Sequence, residues 1–242
     1  MTDLLHPAEW GAIWAILALG AAVQGVAGFG ITLIAAPLLL LLAPSLMPGP
    51  LMLGIFLLTL LTWWRERHEA RLGELGWAFV GRLPGTFAAG AALAWLPTQQ
   101  IDLLMGILIL IAVPLSTGRW QVRPTIPNLI AAGALSGFMG TTTAMGGPPM
   151  AILYQNRPGP TLRSSLAAYF TIGVVISLAT LAMVGRFGRR ELIDGVLLMP
   201  PIAFGFLASG RITPWIDRGR VKPAVLALCT LAGFMILGRS IG

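Results

Sequence analysis

Two glycine clusters interrupt an otherwise apolar sequence, and each is followed by a segment too short to cross a membrane. They occupy residues 25–30 and 136–143. If each cluster is the turn of a hairpin that dips into a bilayer, the first turn of the returning helix has N–H groups without internal partners. The helix dipole makes that end positive, so it suits an anion. The clusters therefore predict an anion site that needs no basic side chain.

The residues expected in this site are the two turns and their polar neighbours. Glycine lets a ligand approach the backbone closely, and threonine hydroxyls offer uncharged donors to an oxyanion. Gln24 and Ser136 hold equivalent positions before the clusters and complete the shell. The predicted binding residues are Gln24, Gly28, Phe29, Gly30, Thr32, Ser136, Gly140, Thr141, Thr142 and Thr143.

An alternative interpretation is that the glycines only permit close helix packing. The pairs that fit it well are Gly81 with Gly85 and Gly133 with Gly137.

Four further residues are candidates for the pathway to this site. Arg82 is the one basic residue inside a predicted span, where a charge is costly and usually functional, but its side chain is also long enough to reach the interface. Thr59 and Thr171 follow the two clusters at matching positions, and each hydroxyl could instead bond to its own helix. Tyr169 is the weakest of these candidates.

The composition excludes a soluble domain, a disordered chain and a fibrous protein. Of the 242 residues, 56% are hydrophobic and only 10% are charged, and the mean hydropathy is +0.83. Such a chain is almost entirely membrane-embedded, with no room for a separate catalytic domain. Because basic residues concentrate in the cytoplasmic loops of membrane proteins, the net charge of +7 does not indicate a nucleic-acid partner.

An intramembrane enzyme is a remote alternative. Ser136 would need a positioned base to act as a nucleophile, but His6 and His68, the two histidines, lie in predicted polar ends. The acidic residues of the spans, Glu191 and Asp194 among them, fall near span ends, so no pair of carboxylates lies within the interior of a span. With a single cysteine, Cys229, the sequence offers no cysteine metal site. We therefore predict no catalytic residues, no metal and no cofactor.

The apolar segments predict an all-α polytopic membrane protein made of two repeats. The first repeat, residues 1–118, has a re-entrant or broken helix hairpin at about 10–46 and spans at about 50–64, 75–96 and 101–117. The second, residues 119–242, has its hairpin at about 125–154 and spans at about 162–184, 191–210 and 221–238. In support of a duplication, Gly25, Gly28 and Pro37 recur with the same spacing as Gly137, Gly140 and Pro149.

The distribution of arginine predicts how the chain is oriented. Loops rich in Arg at residues 65–71, 119–123, 157–163 and 211–222 are expected in the cytoplasm, which makes the N-terminus external. The arginines at 186–190 fall on the external side and violate the rule. An odd number of crossings in the first repeat inverts the second, and paired broken helices in inverted halves are typical of transporter sites.

The segment Gln24-Gly25-Val26-Ala27-Gly28-Phe29-Gly30, together with Pro37, resembles the signature of the TauE/SafE sulfite exporter family. The segment Ser136-Gly137-Phe138-Met139-Gly140, followed by Gly146-Gly147-Pro148-Pro149, resembles its second copy. The resemblance covers essentially the whole chain. It implies a multi-pass protein of the bacterial inner membrane that moves a small sulfur-containing anion such as sulfite, thiosulfate or an organosulfonate. The chain departs from the family pattern at Thr141–Thr143, where glycines are often found.

These observations together predict a secondary transporter that exports its anion by alternating access. An anion channel that uses the same helix ends is the alternative, and the inverted duplication favours the carrier. The expected partners are the anion and the lipid bilayer. The sequence leaves open which anion moves, in which direction and with which coupling ion, and a homodimer is compatible with it.

Overall fold

A computed structural model of the chain describes residues 6–27, 30–117, 121–216 and 221–241. Ten α-helices account for most of these residues, and the described part contains no strand. In chain order the helices are α1 (Pro7–Ala27), α2 (Ile31–Leu42), α3 (Gly49–Glu66), α4 (Leu75–Trp95), α5 (Thr98–Ser116), α6 (Ile126–Thr143), α7 (Gly147–Tyr154), α8 (Gly159–Met183), α9 (Arg189–Ile216) and α10 (Val221–Ile241). The predicted all-α fold is therefore confirmed.

The first hairpin consists of α1 and α2. Gly30 precedes α2 with φ 149°, a conformation that side chains on L-residues rarely adopt. The Gln24 Oε1 atom accepts a hydrogen bond of 3.2 Å from the N–H of Ile31 and so satisfies one donor at the start of α2. At 1.5 Å per residue, the 12 residues of α2 extend about 18 Å, which is too short for a 30 Å bilayer core.

The second hairpin consists of α6 and α7, and its turn lies later in the chain than the sequence suggested. We expected Gly140 and Thr141–Thr143 to begin the returning helix, but they form the last turn of α6. The turn itself contains Ala144, which has φ 60°. Pro148 and Pro149 then start α7, in agreement with the preference of proline for the first helical turn.

Close packing between α4 and α6 depends on glycine. A Cβ atom on Gly81 or Gly85 would collide with backbone atoms of Ile130 or Ala134, and one on Gly133 would collide with the carbonyl of Ala78. Because backbone cannot move as a flexible side chain can, these positions require glycine. The packing interpretation therefore applies to these glycines.

Helices of the two halves pack on each other in matching pairs. The helix α4 packs against α6, and α9 packs against α1; α3 contacts α8, and α5 contacts α10. The two short helices follow the same pattern, because α2 contacts α10 and α7 contacts α5. Each hairpin therefore packs against helices of the opposite half.

Four helices in the described part of the chain are long and apolar enough to cross a membrane. Their candidate spans are Pro7–Val26, Thr98–Ser116, Gly159–Met183 and Arg189–Gly210. The helices α3, α4, α6 and α10 also have at least 18 residues but are not among these candidate spans. The fold is that of a polytopic membrane protein.

Candidate functional site

Residues of both hairpins line one cavity of the protein. The first hairpin contributes Gln24 and Thr32, and the second contributes Gly140, Ala144, Gly146 and Gly147. Other helices complete the wall with Met52, Ile55, Thr59, Arg82, Phe170 and Val174. The cavity volume is about 30 Å³, which is above the roughly 10–15 Å³ that a single water molecule requires. The cavity therefore has room for a small polar guest.

Among the described residues of the cavity wall, Arg82 alone carries a formal charge. Its residue surface is 1% exposed, so the side chain does not extend to the interface. The Arg82 Nη1 donates a hydrogen bond of 3.3 Å to Ser136 Oγ, while Nε has no partner. None of the ion pairs in the described residues includes Arg82. A buried cation without a carboxylate is strongly disfavoured unless an anion accompanies it.

Glycine and tyrosine residues make the space that the Arg82 guanidinium occupies. A Cβ atom on Gly173 would collide with the guanidinium, and one on Gly140 would lie 3.7 Å from Nη2. On another side, the guanidinium carbon lies 4.9 Å from the centroid of the Tyr169 ring, within the range of a cation–π interaction. The charge is therefore held by packing rather than by an acidic side chain.

The first hairpin brings uncharged donors to the cavity. Gln24 uses its Oε1 atom to cap α2, which leaves the amide nitrogen of the same side chain available. Thr32 lies in the first turn of α2, where N–H groups lack intrahelical acceptors, and its side chain lines the cavity. Thr32 lines the cavity, whereas Gly30 precedes α2 without lining it. Gly28 and Phe29, two further predicted binding residues, lie outside the described residues.

In the second hairpin, Ser136 connects the turn to Arg82 through two hydrogen bonds. Ser136 Oγ donates a hydrogen bond of 2.7 Å to the carbonyl of Gly146 and accepts the one from Arg82. Ser136 itself does not line the cavity. We therefore assign it to the support of Arg82 and of the turn. Because Pro148 and Pro149 lack N–H groups, the first turn of α7 offers fewer hydrogen-bond donors than a helix start without proline.

The three threonines at the end of α6 point away from the cavity. Thr142 and Thr143 donate to the carbonyls of Phe138 and Met139 in their own helix, at 2.8 Å and 2.7 Å. Thr141 Oγ1 lies 2.9 Å from Ser177 Oγ on α8. None of the three lines the cavity, whereas Gly140 does. The expectation that their hydroxyls form an exposed turn was wrong, because each hydroxyl already has a partner inside the protein.

The pathway candidates separate into two groups. Thr59 lines the cavity, although its hydroxyl bonds to the carbonyl of Phe56 in its own helix. Thr171 bonds in the same way to Ala167 and does not reach the cavity. Tyr169 is fully buried beside Arg82, and its hydroxyl has no partner.

Sequence reasoning missed several residues of the wall. Gly146 and Gly147 lie in the true turn of the second hairpin, and Phe170 and Val174 face the cavity from α8. The dipeptide Pro148-Pro149 was the available signal, because proline at the first positions of a helix marks where it starts. The other two are ordinary apolar residues in a long span, and no local pattern distinguishes them.

Comparison with known proteins agrees with this architecture. The family model described as sulfite exporter TauE/SafE matches residues 12–236 of the chain. No curated protein and no solved structure matches the chain at a significant level. The match confirms the resemblance carried by the two glycine clusters, and it extends over both hairpins and all the helices that line the cavity. The chain therefore belongs to the TauE/SafE sulfite exporter family of multi-pass membrane transporters.

Proposed function

We propose that the protein exports a small sulfur-containing oxyanion, such as sulfite or thiosulfate, and binds it in the cavity between the two hairpin turns. The observation that carries this proposal is the unpaired guanidinium of Arg82. It is buried, it has no carboxylate partner in the described residues, and its Nε has no hydrogen-bond acceptor. An oxyanion in the cavity supplies both the missing charge and the missing acceptor.

The cavity also favours a compact guest. Its volume of about 30 Å³ holds roughly two or three water-sized probes, and Gln24 and Thr32 line it together with Arg82. In this proposal the hairpins separate slightly for any oxyanion and farther for a larger organosulfonate. Sulfite and thiosulfate are therefore expected to bind more tightly than sulfoacetate.

The pairing of the helices supports an inverted repeat and alternating access. Two contacts between the halves match: α4 with α6 corresponds to α9 with α1, and α5 with α7 corresponds to α10 with α2. Two copies of one folding unit that pack face to face produce matching contacts of this kind. In this proposal residues 1–118 and 119–242 are the copies, and the hairpins rock about the cavity.

The membrane potential favours the outward direction. With the Arg-rich loops in the cytoplasm of a bacterial inner membrane and the N-terminus outside, export of one negative charge is downhill by about 2.3 kcal/mol per 100 mV. No acidic side chain lines the cavity, so we propose uniport without a carboxylate proton relay.

Counterflow in proteoliposomes tests this function directly. Vesicles loaded with unlabelled sulfite should accumulate labelled sulfite transiently and with saturable kinetics, and unlabelled thiosulfate should compete. A linear flux without counterflow would indicate a channel. Absence of any sulfite or thiosulfate flux in vesicles that contain folded protein would contradict the proposal.

A further inference from the structure

Two arginines and one glutamate meet over the turn of the first hairpin, at the Arg-rich end of the molecule. Arg163 on α8 holds both carboxylate oxygens of Glu66, through Nε at 3.0 Å to each oxygen and through Nη2 at 2.8 Å. Arg65 Nη2 lies 3.6 Å from the same carboxylate. The cluster thus contains two positive charges and one negative charge, and it is only partly exposed.

Each arginine has a second anchor that does not depend on Glu66. Arg65 Nη2 donates a hydrogen bond of 2.7 Å to the carbonyl of Gly25, and its guanidinium lies 4.4 Å from the centroid of the Phe206 ring. Arg163 Nη1 donates to the carbonyl of Val26 at 3.3 Å. Each guanidinium therefore has an anchor at the C-terminal end of α1 that is independent of Glu66.

The two arginines of the cluster lie on helices that also contribute residues to the cavity wall. Arg65 follows Thr59 on α3, and Arg163 precedes Phe170 on α8; both Thr59 and Phe170 line the cavity. At 1.5 Å per residue, each arginine is roughly 9–10 Å along its helix from the cavity wall. An anion that approaches the cavity between α3 and α8 from this end meets the two arginines first.

We propose that Arg65 and Arg163 form a second anion-binding site ahead of the cavity, and that Glu66 occupies it as a tethered carboxylate while the site is closed. The planar fork of Arg163 holds two oxygens of a carboxylate, and a sulfite or sulfonate presents two oxygens in the same way. An arriving anion displaces Glu66 and breaks the ion pair that joins α3 to α8. The identity of this ligand rests on the proposed function, because it is the transported anion.

The test counts sulfite ions bound to the purified full-length protein by titration calorimetry. At sulfite concentrations that just saturate the cavity, the wild type should bind one ion, because Glu66 competes for the second site and lowers its affinity. Glu66→Ala should bind two, and Glu66→Ala with Arg163→Gln should return to one. Glu66→Gln, which keeps the size of the side chain, replaces the alanine variant if that variant does not fold. A count of one in the folded Glu66 variant would overturn the proposal.

The matched control is Glu74→Ala. Glu74 also receives two hydrogen bonds from one arginine, Arg157, at 2.8 Å and 3.0 Å, but this pair is more exposed and lacks a second arginine. Its loss should leave the count at one, and a count of two would show that any unpaired arginine suffices, which overturns the assignment.

The same experiment distinguishes failure of the cavity site from failure of the second site. If Arg82→Gln leaves the wild-type count unchanged while Glu66→Ala still adds an Arg163-dependent ion, the proposed function fails and the second site stands.

Discussion

The guanidinium of Arg82 on α4 packs directly against the backbone of Gly173 on α8. A side chain on Gly173 would begin inside the guanidinium of Arg82. The two residues are far apart in the sequence, and the absence of a Cβ atom on one permits the buried position of the other. If the cavity binds an anion as proposed, its affinity should depend on Gly173, which contributes no hydrogen bond.

Gly173→Ala should displace the Arg82 guanidinium and weaken anion binding by about tenfold or more, in line with the roughly 1.5–3 kcal/mol of a hydrogen bond to a charged group. The measurement is sulfite affinity of the purified protein. Gly76→Ala is the matched control, because nothing lies within 4 Å of its Cβ position. Equal affinities for the two variants would show that Gly173 does not position Arg82.

Thr32→Val and Thr142→Val should differ, although both remove one buried hydroxyl. Thr32 lines the cavity, so its loss should lower sulfite affinity several-fold. Thr142 bonds to its own helix, so its replacement should change stability by about 1 kcal/mol and leave the affinity within about twofold. Side-by-side binding curves of the two variants check this order, and a larger loss in Thr142→Val would contradict the assigned orientation of the α6 terminus.

Gln24→Glu separates the two roles of this side chain. The carboxylate keeps an acceptor for the N–H of Ile31, so the thermal unfolding midpoint should stay close to that of the wild type. A negative charge then replaces the amide donor at the cavity, and repulsion should lower anion affinity by more than about tenfold. Unfolding and binding are measured on the same preparation. A lower unfolding midpoint with unchanged affinity would assign Gln24 to capping alone.

Gly85→Ala tests the packing of α4 on α6. The new methyl group would collide with the backbone carbonyl of Ala134, and overpacking of this kind costs about 1–3 kcal/mol. We expect a lower unfolding midpoint in detergent, with Gly76→Ala again as the reference. If both variants unfold at the same temperature, the two helices are not in the close contact described.

The hairpins were predictable from sequence to different degrees. Gly30 marks the end of the first glycine cluster, and α2 begins directly after it, although it ends at Leu42, before the predicted limit of about 46. In the second hairpin, the polar run Thr141–Thr143 resembles a helix break, but hydroxyls that bond to carbonyls of the preceding turn allow the helix to continue. The break falls instead at Ala144, two residues before Gly146.

The position of Arg82 could not be predicted from its own segment. A basic side chain near a helix end reaches the interface or turns inward according to its neighbours, and these are Ser136 on α6 and Gly173 on α8. Likewise, Arg65 and Arg163 indicated only the orientation of the chain until the structure placed both beside Glu66. Long-range contacts of this kind leave no trace in local spacing.

The affinity of purified Arg82 variants for sulfite tests the central claim most directly. Arg82→Gln should bind at least about tenfold more weakly than the wild type, because the cavity loses its one positive charge. Arg82→Lys keeps the charge without the planar fork, so its sulfite affinity should lie between those of Arg82→Gln and the wild type. Arg67→Gln, on an exposed arginine away from the cavity, should bind as the wild type does. Wild-type affinity in a folded Arg82→Gln variant would contradict the claim that this cavity binds the transported anion.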